Sequence, residues 1–528
     1  MDLSELKRDI ARKEPGLKIL SNVELERRMP GLSLKTKPVR TGSGVAPIAI
    51  MTKPMPCPHG RCSYCPGGIG SAFGDVPQSY TGQEPATLRG ARNRYDAFAQ
   101  VMNRLEQYVL LGHPIDKVEL IIMGGTFTSF PSAYQESFIA DSFHAMNAFS
   151  ERFLDKGRFN EFFQPQDYRK PEHLDYFLGA LAAIKKTGSL ADEQLRNEKA
   201  QVRCVALCIE TRPDWAKEQQ VDEMLRFGTT RVELGVQHIR DNILARVNRG
   251  HTVMETIRAT QLLKDTFLKV GYHLMPGLPL SSKQEDIAMA AELFSNPAFR
   301  PDALKIYPCM VLRGTKLYEE WKQGMFTPLS TEQAVSTIIG MVKHVPPYCR
   351  IMRIQRDIPS SMVEGGVDKT NLRQYVERAM EERGIRSQDI RAREPFGRPL
   401  GEPELCRLDY EASGGTEVFL SFEDKKQDTL YGFLRLRMPG KPFRKEISER
   451  SAGIRELHVY GPSVPIGKEA EGIQHRGLGK SLVAEAEKVA REFGKKELLV
   501  ISGVGAREYY RKMGFRRKGA YMAASLNA

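Results

Sequence analysis

Cysteine and tryptophan are scarce in this chain: eight and two among 528 residues. Five of the cysteines, Cys204, Cys208, Cys309, Cys349 and Cys406, are scattered, mostly among apolar neighbours. Secreted disulfide scaffolds are short and cysteine-dense, so that class is excluded. Long hydrophobic runs are missing too, since no stretch of roughly 18 uncharged apolar residues occurs. The opening MDLSELKRDIARKE alternates acids and bases where a signal peptide carries a hydrophobic stretch. A soluble cytoplasmic protein is expected, with no membrane partner. Internal repeats and low-complexity tracts are absent, as is any acidic excess. Lys and Arg number 78 against 65 Asp and Glu, a balance of +13. Such a balance favours a polyanionic partner, nucleic acid or phosphorylated cofactor, although a solvated basic surface accounts for it equally well.

What is present begins with a basic arm over residues 1–44, ending in LSLKTKPVRTGSG with Lys35, Lys37 and Arg40. From residue 45 short β-branched runs alternate with helix-period stretches: APIAIM, VELIIM, VALCIE, RVELGV, VGYHLM and ALKIYP. That order predicts an α/β unit over 45–344, an incomplete parallel βα barrel of six strands. An insertion is expected within 127–200, which is too long for one crossover helix. Residues 345–404, with Arg350, Arg353 and Arg356 at every third position, lack the strand–helix rhythm and read as a basic linker. Residues 405–528 read as a separate α+β domain: two antiparallel strands, a third in IRELHVYG, then a helix with Leu478, Leu482, Ala486, Val489, Ala490 and Phe493 on one face.

Ligands gather at the carboxyl ends of parallel strands. There the chain places CPHGRCSYCPGG after the first run, Gly124-Gly125-Thr126 after the second, Glu210 to Asp214 around the end of the third and Gln237-His238 after the fourth. Cys57, Cys62 and Cys65 on one loop suit three irons of a [4Fe-4S] cubane whose fourth iron stays open. A zinc site of Cys57, His59, Cys62 and Cys65 is the rival. An open iron at a barrel mouth suits S-adenosylmethionine, with Gly124 and Gly125 admitting close backbone approach and Glu210, Arg212 and Gln237 as polar partners. In the last domain QHRGLG puts Gln474, Gly477 and Gly479 at a helix N-terminus, a cradle for pyrophosphate. Tyr509 or Tyr510 could protonate a leaving thiolate, with core packing expected for the other.

The chain resembles the Elongator catalytic subunit 3 family in its stand-alone archaeal or bacterial form. CPHGRCSYCPGG, SYTGQEPATLRGARNRYD, IDKVELIIMGGTF, IETRPD, RVELGVQH, RIQRDIPS, ELHVYG and VISGVGAREYYRKMGF carry the resemblance, in order, over nearly the whole length. It implies a radical SAM domain fused to a GNAT acetyltransferase domain that acts on the wobble uridine of tRNA. There, a deoxyadenosyl radical abstracts hydrogen from the acetyl group of acetyl-CoA, the carbon radical attacks uridine C5, and hydrolysis leaves a carboxymethyl group. By position it implies Cys57, Cys62 and Cys65 as cluster ligands. Lys117, Glu456, Leu457, His458, Gly477, Leu478, Gly479 and a tyrosine of the 509–510 pair would contact acetyl-CoA. The two domains should then pack face to face around a shared cleft. The arm and linker arginines and lysines named above are the expected tRNA contacts. The linker RGIRSQDIRARE has no cysteine, so no second metal site is expected there, nor are obligatory partner subunits; homo-oligomers are possible. A protein lysine acetyltransferase with a structural zinc, or a non-catalytic tRNA scaffold, are the rival functions.

Overall fold

Seven runs of β-branched residues become the strands of one all-parallel sheet: β1 (Ala46–Met51), β2 (Lys117–Met123), β3 (Arg203–Thr211), β4 (Arg231–Gln237), β5 (Lys269–Leu274), β6 (Ala303–Ile306) and β7 (Arg350–Ile354), paired in that order. The structure, a computed structural model, describes residues 3–13, 20, 22–29, 41, 43–163, 171–396, 398, 401–460 and 477–526. Lys35, Lys37, Arg40 and Gln474 lie outside them.

Each strand buries one face under helices. On β2, Val118, Leu120 and Ile122 are fully buried, whereas Lys117, Glu119, Ile121 and Met123 are half-buried on the opposite face. Edge strands β1 and β7 do not pair with each other, so the barrel stays open on one side. Helices Pro85–Arg92 and Ala97–Leu110 follow the cysteine loop, and the stretch read as an insertion is helical: Ser132–Arg152, Lys156–Phe162, Pro171–Ile184 and Leu190–Asn197. The Ser132–Arg152 and Leu190–Asn197 helices share the polar cluster His144, Asn147, Glu193, Asn197, with Asn147 donating to Glu193 at 2.7 Å.

The stretch 345–404 is not the rhythmless linker expected. It carries β7, which pairs with β6 as the seventh strand, and the helix Leu372–Glu382. In RIMRI only Ile351 and Ile354 are buried, with a bulge between Ile351 and Arg353, and Arg350, Met352 and Arg353 border the cleft, so this edge strand lacks the continuous apolar run that marked the others.

The second sheet runs β8 (Glu404–Ala412), β9 (Gly415–Asp424), β10 (Thr429–Met438), β11 (Ser451–Val459), β12 (Glu497–Val500), β13 (Arg516–Lys518) and β14 (Tyr521–Ser525), in the order β8-β9-β10-β11-β12-β14-β13. Its one parallel pair, β11 with β12, ends at Ile454↔Val500. From Arg455 onward β11 is paired to β10 alone, so β11 and β12 part into a notch. The helix Leu478–Glu492 covers the sheet with Leu482, Val483, Ala486, Val489 and Ala490. Burying each Leu or Val there contributes about 1.5–3 kcal/mol.

This second unit docks on the amino ends of the barrel strands. Val504–Ala506 packs on the start of β3, Gly453 on β11 lies against Phe267, and Arg455 donates to the Leu268 carbonyl at 2.8 Å. Between the two units lies a desolvated ion network. Arg455 pairs with Asp302 at 2.5 Å and Glu417 at 2.9 Å, Arg437 with Asp265 at 2.6 Å and Glu417 at 2.9 Å, and Lys264 reaches Asp302 and Glu417 at 3.4 Å. Among the described residues no helix is long and apolar enough to cross a membrane.

Candidate functional site

The loop after β1 makes two tight turns, with the Gly60 amide donating to the Cys57 carbonyl and the Cys65 amide to that of Cys62, both at 3.0 Å. Gly60 takes φ +87°, a left-handed conformation that a side chain disfavours. Cys62 and Cys65 are buried and Cys57 partly so. Gly124 and Gly125 follow β2 at φ +125° and +112°, and a Cβ at Gly125 would stand 2.9 Å from Gln78. Gln78 in turn donates to Cys65 Sγ at 3.0 Å, and Thr126 Oγ1 lies 3.6 Å from Cys57 Sγ. Two guanidiniums face the thiols: Arg212 is 3.8 Å from Cys57, and Arg249 is 3.8 Å from Cys62. Burial pushes the Cys57 thiol up and that of Cys62 to about 11, while the guanidiniums oppose it. Arg212 is fixed by Asp214 at 2.8 Å and by the Gly250 carbonyl.

Three sulfurs with two cations over them suit an anionic thiolate-bound metal centre. His59 sits between Cys57 Sγ (3.1 Å from Nδ1) and Cys62 Sγ (3.2 Å from Nε2). Among the described residues, the three His, Cys, Asp or Glu donors that converge within 4.8 Å are Glu210, Glu233 and His273, not the loop. That trio is an ion-pair cluster, because the Lys305 ammonium holds Glu210 at 2.8 Å and also pairs with Glu233. The opposing charges hold the Glu233 carboxyl well below the usual range against its burial.

A cavity of about 130 Å³ lies over the cysteines, lined among others by Thr126, Glu210, Arg212 and Gln237. Of the residues expected around S-adenosylmethionine, Gly125, Thr126, Glu210, Arg212 and Gln237 line it and Gly124 does not, and Gln237 is held at φ +69°. Arg353 and Arg356 line the same cavity. They turn inward, pairing with Asp357 and with the Ser79 carbonyl, rather than forming the outer basic face expected from spacing. Arg350 is likewise engaged, with Glu394 and with Tyr460 Oη at 2.8 Å.

A second, elongated cleft of about 1930 Å³ is shared by both units. Lys117 lines it from β2; Glu456, Leu457 and His458 line it from the unpaired part of β11. Gly477, in the left-handed conformation at φ +73°, and Gly479 line it at the start of the helix Leu478–Glu492. Leu478 itself points the other way, into a cluster with Tyr431. Tyr509 lines the cleft and is 39% exposed, and a Cβ at Gly479 would lie 2.9 Å from its hydroxyl. Tyr510 also borders the cleft but is 6% exposed and packs on Phe515 in the core, so Tyr509 is the more accessible of the pair. Glu456 is held by Arg435 at 2.9 Å and Lys269 at 3.1 Å, which bring its carboxyl down to about 2 against burial. Burial and neighbouring cations bring His458 down to about 4, so its ring is neutral at pH 7. Gln78, Arg249, His273 and Lys305 escaped the sequence reading because each comes from a separate segment; for His273 and Lys305 a polar residue inside an apolar strand run was the available signal, whereas Gln78 and Arg249 come from loops.

The Radical SAM superfamily pattern matches residues 53–293, the Radical SAM C-terminal domain 301–382, and the acetyltransferase (GNAT) family 376–515. Over 505 residues the chain is 49% identical to the tRNA uridine(34) acetyltransferase of Methanocaldococcus infernus, covering 93% of this chain and 88% of the relative. It is 43% identical to Elongator complex protein 3 of Schizosaccharomyces pombe over 93% and 86%. The chain belongs to the Elongator complex protein 3 family. A solved structure of the archaeal Methanocaldococcus infernus Elp3, lacking its N-terminus, superposes with a TM-score of 0.75 at 43% identity, covering 91% of this chain and 99% of that one. Members of this family thus share the two-unit architecture seen here, a half barrel followed by a GNAT sheet. The first pattern implies S-adenosylmethionine and a [4Fe-4S] cluster, and the third implies acetyl-CoA.

Proposed function

We propose that the chain is an acyltransferase of tRNA that attaches the acetyl-derived carbon of acetyl-CoA to C5 of the wobble uridine, uridine 34. One observation carries this reading: a single cleft joins the notch of the GNAT sheet to the half barrel whose far end holds the cysteine loop. The relatives named for uridine 34 support the choice of substrate.

Cys57, Cys62 and Cys65 would hold the cluster, with Arg212 and Arg249 balancing its negative charge. When bound, the cluster and S-adenosylmethionine supply a carbon radical. The task of the protein is to shield and orient it. Gly124, Gly125 and Thr126 leave room beside the loop for the reagent, and Gln237 and Arg212 offer polar contacts. In the cleft, Gly477 and Gly479 present free amides at a helix N-terminus to pyrophosphate. The edge of Leu457 and His458 that β12 leaves uncovered would run along the pantetheine arm, and Lys117 stands at the amino ends of the barrel strands. Tyr509, whose phenol burial keeps protonated, is placed to give its proton to the departing thiolate. Arg353 and Arg356, at the cavity, and Arg350 would meet RNA phosphate or base edges after entry, while Lys35, Lys37 and Arg40 would grip the backbone outside.

Anaerobic reconstitution with S-adenosylmethionine, acetyl-CoA and tRNA, followed by mass spectrometry of the wobble nucleoside, tests the proposal. A carboxymethylated uridine is expected. Acetyl-CoA turnover indifferent to RNA, or stimulated by peptides, would overturn it.

A further inference from the structure

Barrel interiors are normally filled by layers of branched apolar side chains. This one is not. Its inward positions include Pro47 and Ala49 on β1 and Lys117, Glu119 and Ile121 on β2, none fully buried, and a cleft lies over them. The charges in the middle of the wall are satisfied sideways, from strand to strand, whereas Lys117 at its amino end has no ion-pair partner among the described residues. Arg231 on β4 pairs with Glu119 on β2 at 2.6 Å and with Glu233 at 3.2 Å; His273 on β5 meets Glu233 at 2.9 Å; Lys305 on β6 meets Glu210 on β3 at 2.8 Å. Neutralised in this way, a charged wall is compatible with a passing ligand that carries no charge of its own.

The hollow has two ends. At the amino ends of the strands it meets Leu457, His458 and Gly477 of the GNAT unit. At the carboxyl ends Met123, Lys305 and Arg353 line both this hollow and the cavity over the cysteines. The seven residues from Lys117 to Met123 cover about 20 Å at the usual rise of a parallel strand, a span comparable with an extended pantetheine arm. The side opening between β1 and β7 gives onto the same hollow, bordered by Pro47 and Ala49 of β1 and by Arg350 and Met352 of β7.

We propose that the acyl arm of the coenzyme enters the half barrel axially, through the amino ends of its strands, and lies along Ala49, Glu119 and Ile121, leaving the side opening to the RNA. This rests on the reading of the chain as acetyl-CoA-dependent. The arm is uncharged between its pyrophosphate and its thioester, which matches the middle of a wall where Glu119, Glu210 and Glu233 are already paired. The pyrophosphate stays outside at Gly477 and Gly479, and the thioester end advances toward the cavity over the cysteines.

Alkylation of introduced thiols reads the path directly. In full-length holo protein kept anaerobic, Ile121→Cys and Ala49→Cys variants are treated with iodoacetamide and each peptide is followed by mass spectrometry. Acetyl-CoA at ten times its dissociation constant should slow modification at both positions about tenfold, whereas adenosine 3′,5′-bisphosphate, which lacks the arm, should not. Calorimetry on the wild-type chain and on each variant establishes saturation. Saturation without shielding of residues 49 and 121, or equal shielding by the armless nucleotide, overturns the path and leaves the coenzyme reading standing. Absence of acetyl-CoA binding by the wild-type chain overturns both.

Discussion

Tyr509 and Tyr510 are neighbours on the five-residue helix Arg507–Arg511 and both border the cleft, yet Tyr509 is 39% exposed and Tyr510 only 6%. Tyr509→Phe removes a proton donor without altering packing area, and general acids contribute roughly 100-fold or more. Its turnover should fall by about that factor with acetyl-CoA affinity nearly unchanged, as single-turnover kinetics and calorimetry would show. Tyr510→Phe should leave turnover within about twofold, since its ring serves the packing against Phe515. His458 carries a different consequence. Burial first, then Arg350, Lys269 and Lys117, bring it down to about 4, whereas an unfolded histidine titrates near 6.5. As pH falls below 6.5 the unfolded chain takes up a proton that the folded chain refuses, so folding is disfavoured by up to about 1.4 kcal/mol per pH unit until the folded value is reached. Replacement by Phe, which keeps the stacking on Phe433 and Tyr460, removes this term. The stability of the wild type relative to His458→Phe should therefore drop by about 2 kcal/mol between pH 6.5 and 5; a pH-independent difference in denaturation midpoints would contradict it.

At the scale of elements, the docking of the GNAT unit on the barrel depends on a 3₁₀ turn, Val504–Ala506, lying directly on β3. A Cβ on Gly503 would fall inside the Val205 carbonyl group, and one on Gly505 would stand 2.5 Å from the Arg203 Cβ. Backbone on both sides leaves little room to yield, so Gly503→Ala should cost about 1–3 kcal/mol, as overpacked sites do. Because the strain sits between the units, amide exchange in the Val504–Ala506 turn and at the start of β3 should quicken while the helix Leu478–Glu492 keeps its protection. The strands β1 to β6 were legible because buried parallel strands are short apolar runs closed by glycine or polar residues, and the cysteine loop because its donors are contiguous. β7 was not legible, since RIMRI at a sheet edge places arginine at every third position among its apolar residues and looks like a solvated stretch. Nor was the electrostatic setting of the loop, as Gln78, Arg212 and Arg249 are joined there by turns and strand ends far apart in sequence. The two tyrosines could not be separated either, because their difference arises from which side of a short helix meets the sheet.

Across the whole molecule the two units are joined through charge taken out of water. Lys264, Asp265 and Asp302 from the barrel unit meet Glu417, Arg437 and Arg455 from the GNAT sheet, and every one of these side chains is at most 3% exposed. The charges balance as three cations against three carboxylates, and Arg435, also buried, is matched by Glu456. Attraction in such surroundings is strong, but desolvation is of similar size, so the intact network is a weak source of stability and a strong constraint on geometry. Removing one carboxylate is another matter. Glu417→Leu leaves Arg455 with Asp302 alone, Arg437 with Asp265 alone, and Lys264 sharing Asp302 at 3.4 Å. One positive charge is then buried without a partner, for an expected loss of about 3–5 kcal/mol. Since the stranded charge lies between the units, the earliest denaturant transition should move down while each unit retains its own secondary structure, and the cleft they share should open. Product formation at uridine 34 should then fall further than either acetyl-CoA binding or S-adenosylmethionine cleavage taken separately. Equal loss of all three activities would instead show that the network holds each unit together and not the pair.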